Sequence, residues 1–207
     1  MRCARKHLMI GANPEEAVQG PSAQWHVETG QELRWLATYG MTADLILASR
    51  GTPDNRAAAR GVLESVLLES GRPLLIPGTA APDSVVAEHV AIGWKPTPQA
   101  ARAVAFALPF LARAKAITVI TVEEEEGRRT EAERLAVYLA WHGLKASVQG
   151  VSPGANAAES LLAAAAAAKA GLLVMGGYGH TRLREWVFGG FTQRALDEGS
   201  VPVLIAH

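Results

Sequence analysis

Apolar residues follow two rhythms along this chain, and the rhythms alternate. Short continuous apolar runs mark strands covered on both faces, while apolar positions three and four apart mark helices with one buried side. From the N-terminus, 7–10 and 24–28 read as short strands, 31–39 as a helix carrying Leu33, Leu36 and Ala37 on one face, and 43–48 as a buried strand. A helix over 57–70, stopped by Gly71, leads to a strand at 73–77 that is fenced by prolines and suits a sheet edge. The stretch 78–83 is a linker by composition, and beyond it the pattern restarts. Strands are predicted at 90–94, 117–122, 145–149, 171–176 and 201–206, with helices at 98–111, 130–141, 156–169 and 191–198 between them. In the helix at 130–141, Leu135, Tyr138 and Leu139 fall on the expected inner face.

Strands that alternate with helices need crossover connections, and these give a parallel sheet with helices on both faces, the α/β class. The crossovers are expected to be right-handed. The pattern also repeats: 43–49 parallels 170–176, and 72–76 parallels 201–205, with a helix of similar length inside each pair. The organisation expected is therefore one incomplete unit at 1–78, a linker at 79–88 and one complete unit at 89–207. Roughly the first two strands of the complete unit are missing from the front one.

The composition suits a folded chain of 207 residues, 49% apolar and 19% charged. Lys+Arg and Asp+Glu number 20 each, so there is no basic excess of the kind a general nucleic-acid binder needs. No run approaches the ~20 apolar residues of a membrane span. The basic start, Met1 to His7, is followed by too short an apolar run for a signal peptide. A single cysteine, Cys3, excludes an intrachain disulfide framework and points to a reducing, cytoplasmic setting.

Candidate chemistry gathers near the end of the chain. An apolar run breaks into Gly176, Gly177 and Gly179, crosses a polar loop, and meets Gly189 and Gly190 at a helix start. Glycine lets a backbone turn sharply and approach a ligand, and the free amides of a helix N-terminus suit an anion such as phosphate. The same glycines would equally serve a tight turn with close helix packing, and both readings stand at this point. Thr192 could add a hydroxyl, and Arg182, Arg184 and His180 lie in the loop, where solvation is their ordinary role. The run Glu123 to Glu126 reads as a solvated loop after a strand, because consecutive side chains do not converge on one ion. The histidines show no metal spacing, Cys3 has no evident base, and no acid–base pair suggests a reaction.

With these residues in view, the segment 174–205 resembles the universal stress protein (UspA) family. That family spaces two glycines three apart, then nine residues, then a glycine followed by serine or threonine. Gly176, Gly179 and Gly189 hold the glycine places, Gly190 stands where the hydroxyl residue would be, and Thr192 matches a further threonine of nucleotide-binding members. The resemblance covers 90–207 fully and 24–77 in degraded form. It implies a tandem protein with a shortened front half, a non-catalytic stress-response role, and an ATP site of Gly176, Gly179, Gly189, Gly190 and Thr192, with Met175 and Val122 lining the base side. Nucleotide-binding relatives place an aspartate after the first strand; here that place falls to Lys95, whose ammonium donates hydrogen bonds and accepts none. The phosphate half of the site is thus better kept than the adenosine half, and an interaction module without nucleotide is the alternative. Relatives pair through their last strands, so 73–77 and 201–206 are expected to pair within the chain. A front half short of its central strands is expected to rearrange or to be completed by a second copy, as a homodimer.

Overall fold

The computed structural model of the chain describes residues 9–10, 22–23, 27, 29–30, 32–52, 54–78, 88–154, 156–177 and 201–207. By contacts the chain divides into Met1–Glu32 and Leu33–His207. In the first unit, β1 (Met9–Ile10) and β2 (Ser22–Ala23) form a parallel pair. The second unit begins within α1 (Glu32–Gly40) and continues through β3 (Ile46–Leu47), α2 (Arg56–Glu69), β4 (Leu74–Ile76), β5 (His89–Gly93), α3 (Pro98–Leu111) and β6 (Ala116–Val122). It ends with α4 (Arg128–Trp141), β7 (Ser147–Val151), α5 (Ala157–Ala167), β8 (Leu172–Gly176) and β9 (Val203–Ala206). The helix expected at 191–198 lies outside the described residues.

The helices start and stop where local chemistry allows. Thr97 caps α3, its Oγ1 accepting from the Ala100 amide at 3.2 Å, and Pro98 takes the first turn, where no amide partner is needed. Asn156 caps α5 in the same way, accepting from the Ala158 amide at 2.8 Å. Gly143, at φ +75°, closes α4 in the left-handed conformation that glycine adopts without strain, and the Leu144 amide reaches back to the Leu139 carbonyl at 3.0 Å.

Seven strands form one sheet in the order β3-β4-β9-β8-β5-β6-β7. Every neighbouring pair is parallel except β4 and β9, which run antiparallel. The α/β class and the pairing of the two proline-preceded strands both appear as expected. At that seam Leu75 faces Leu204, flanked by Leu74 with Ile205 and Ile76 with Val203.

Alternation along each strand sends residues to two cores. On one face, Ala91, Ile120, Leu173, Met175 and Ile205 pack with Leu63, Val66 and Leu67 of α2 and with Leu161, Ala164 and Ala165 of α5. On the other, Val90, Ile92, Val119, Val174 and Leu204 pack with Ala103, Val104 and Ala107 of α3 and with Ala132, Leu135 and Leu139 of α4. Two details depart from the sequence reading. The run 43–48 gives only the two ladder residues of β3, and Leu47 is 65% exposed, because β3 has a strand on one side only. Tyr138 is not on the inner face of α4; that face is Ala132, Leu135 and Leu139, while Tyr138 lies largely outside with its ring edge-on to His142 at 4.7 Å.

Candidate functional site

The carboxyl ends of β5, β6 and β8 meet at one edge of the sheet. From β5 the chain steps through α3 to β6 and then β7; it returns through α5 to β8 on the other side of β5. The tips of β5 and β8 therefore flank the point where the winding reverses, the place at which open α/β sheets form a crevice.

Gly176 closes β8 in register with Ala206. A Cβ here would fall 2.5 Å from the Ala100 nitrogen, and 2.9 Å from both Ala100 Cα and the Gln99 carbonyl carbon. These are backbone atoms of the first turn of α3, so the strand end and the helix start touch only because residue 176 has no side chain. The Gly177 amide donates to the Ala206 carbonyl at 2.8 Å, and its own carbonyl lies 3.2 Å from His207 Nδ1. Met175 is 2% exposed and sits in the core among Leu67, Leu173 and Ile205, while Val122, partly buried at the end of β6, packs against that same core. Gly179, Gly189, Gly190 and Thr192 lie outside the described residues, as do His180, Arg182 and Arg184. Of the predicted set, the structure thus places Gly176 and Met175 of β8 and Val122 of β6 at the same end of the sheet, with β5 between the two strands.

Lys95, immediately beyond Trp94 at the end of β5, reaches Glu124 of the neighbouring loop, Nζ to Oε2 at 3.3 Å, with both side chains roughly half exposed. The acidic run beside it is tied down on its other flank. Arg128 at the start of α4 bonds Glu125 at 2.6 Å and Glu131 at 3.3 Å. Among the described residues no group of three His, Cys, Asp or Glu could hold a metal ion, and no helix is long and apolar enough to cross a membrane.

Two features here escape a reading of the sequence. Trp94 Nε1, Gln99 Oε1, Thr121 Oγ1 and Arg128 Nε are buried near this end of the sheet without a hydrogen-bond partner among the described residues. Trp94 and Thr121 are next in line after the in-register pair Gly93 and Ile120, so they stand side by side on the face of α3 and α4. The second is Arg50, which reads as part of a turn. It donates to the Pro77 carbonyl and, at 3.5 Å, to the Val201 carbonyl, joining the end of β4 to the approach to β9. The repeat holds a signal for it, since Arg50 occupies the place of Gly177.

Residues 115–207 match the model of the universal stress protein family. Among solved structures, a universal stress protein from Archaeoglobus fulgidus is 17% identical with a TM-score of 0.64, covering 92% of this chain and 68% of that one. A putative universal stress protein from Pseudomonas aeruginosa is 20% identical with a TM-score of 0.62, covering 93% of this chain and 73% of that one. At these identities the likeness speaks for the fold. No curated protein matches the sequence.

Proposed function

We propose, for a chain whose residues 115–207 match the universal stress protein family model, that the C-terminal half binds an adenine nucleotide and that the protein is a non-catalytic stress-response factor. The observation that carries this reading is the arrangement at the carboxyl ends of β5 and β8. There the winding reverses, and Gly176 brings the strand end against the amide-bearing first turn of α3. Phosphate would be held through backbone amides of the glycine loop, with Gly179, Gly189 and Gly190 and the Thr192 hydroxyl, and the base would lie toward Met175 and Val122. Lys95, paired with Glu124, stands where nucleotide-binding relatives carry an aspartate, so the adenosine end lacks that carboxylate and the affinity is modest. The front half is a reduced second unit, and the chain works as a homodimer.

Calorimetric titration with magnesium ATP tests the site. Binding with a Kd of ~0.1 mM is expected, equivalent to about −5.5 kcal/mol, and Gly189→Trp should abolish it. Phosphate release no faster than that variant's is the result expected of a non-catalytic carrier. No heat at millimolar ATP would favour the alternative, an interaction module that has lost nucleotide, for which the Lys95–Glu124 pair is the specific support.

A further inference from the structure

The helix α4 carries apolar side chains on two opposite faces. One face, Ala132, Leu135 and Leu139, is buried against the sheet. On the outer side Trp141 is 86% exposed, Val137 59% and Tyr138 42%. With Thr130, Glu133 and Arg134 these residues line a shallow concavity of about 520 Å³. Apolar residues scattered singly over a surface need no explanation; a tryptophan, a valine and a tyrosine joined at helical spacing do.

The charges beside this stripe name an occupant. Arg129 pairs with Glu133 at 3.5 Å, and Arg128 pairs with Glu125 and Glu131. Arg134 makes no ion pair or hydrogen bond among the described residues, and it stands two turns, ~10 Å, before Trp141 on the same outer face. A bare guanidinium at one end of an apolar stripe and a bare indole at the other are complementary to themselves when the helix meets a copy running the opposite way. With the two-fold axis between Val137 and Tyr138, each Arg134 lies over the Trp141 ring of the second copy, a cation–π contact made twice. The same operation keeps each flank on its own side, so at the centre Val137 meets Val137 and Tyr138 meets Tyr138 of the second copy.

We propose that the outer face of α4 is the surface through which two copies of this chain associate, by antiparallel packing of α4 on α4. This rests on the homodimer reading given above and names its contact. One helix face covers well under the ~800 Å² per partner of a standard interface, so the association is weak and reversible, with a Kd near ~100 µM. A second open apolar element, the edge strand β3, offers only the two residues Ile46–Leu47 for pairing.

Sedimentation velocity of the full chain across 5–500 µM, roughly bracketing that constant, decides the matter. The wild type should shift from one-chain to two-chain mass. Trp141→Ala and Arg134→Glu should each weaken the association, the first by about tenfold, whereas Leu47→Glu should leave it unchanged. All three positions have open side chains, so the variants fold. If Leu47→Glu breaks the dimer and Trp141→Ala does not, the homodimer stands and the α4 contact is wrong. A one-chain mass for the wild type at every concentration overturns both.

Discussion

The strand pairs β3–β4 and β8–β9 carry the same pattern and meet different fates. Under the repeat, Ile46 corresponds to Leu173 and Leu74 to Val203. Ile46 pairs with Leu74 just as Leu173 pairs with Val203. Even the leading hydrogen bonds correspond: Ile46 donates to the Pro73 carbonyl at 3.0 Å, and Leu173 to the Pro202 carbonyl at 2.9 Å. The seam preserves the relation, since Leu75 and Leu204, which correspond, face each other and their flanks exchange. What separates the pairs is the next strand. β8 has β5 beside it and Val174 is fully buried; among the described residues β3 has no strand on its outer side, and its counterpart Leu47 is mostly exposed. The same residue pattern thus builds an interior strand or an edge, depending on whether a neighbour is present.

The largest test of this comparison is at its centre. Leu204 has no solvent exposure and lies between β4 and β8, while its counterpart Leu75 is partly exposed. Leu204→Ala should cost ~2–5 kcal/mol in urea unfolding, and Leu75→Ala distinctly less, because a partly exposed site loses less transfer energy and leaves less cavity. Equal losses would mean that the two sides of the seam are packed alike. Next in size is the strand end. Gly176→Ala places a methyl group 2.5 Å from a backbone nitrogen of α3, which cannot rotate away. A loss of ~1–3 kcal/mol is expected. At the corresponding place Ser49 is exposed, and Ser49→Ala should stay within ~0.5 kcal/mol.

The same contrast explains what could be read from the residues and what could not. The span of α3 is legible to the residue, because Thr97 and Pro98 write its start locally. The run 43–48 misleads, because the unbroken apolar residues Leu45 to Ala48 carry no information about a missing neighbour. Tyr138 misleads for a related reason: helical spacing groups it with Leu135 and Leu139, but the boundary between inner and outer faces is set by the sheet. The parallel sheet follows from alternation alone. The pairing of β4 with β9 follows from the family resemblance and not from periodicity, and its antiparallel sense is visible only in the structure. At the site, Gly176 is visible as a glycine at a strand end, but its contact with Gln99 and Ala100 is made some 75 positions away in sequence and leaves no local trace. The resemblance puts Met175 on the base side; its near-complete burial depends on α2 and β9, which no local pattern reveals.

The smallest effect should come from Arg50, which stands where the other half has Gly177. Its guanidinium serves carbonyls on both sides of the antiparallel junction of the sheet, Pro77 just past β4 and Val201 just before β9. A planar fork with several donors can hold two carbonyls at once, which an ammonium does less well. Arg50→Met keeps most of the stem and removes the donors. Since the group is only partly buried, the freed carbonyls can be solvated, and the cost should be about 1 kcal/mol. Arg50→Lys should recover part of it. Hydrogen exchange gives the finer readout: the amides of β4 and β9 should lose protection together in Arg50→Met, while those of β5 and β6 keep theirs. Loss spread evenly over the sheet would mean that Arg50 contributes to general stability and does not clasp the seam.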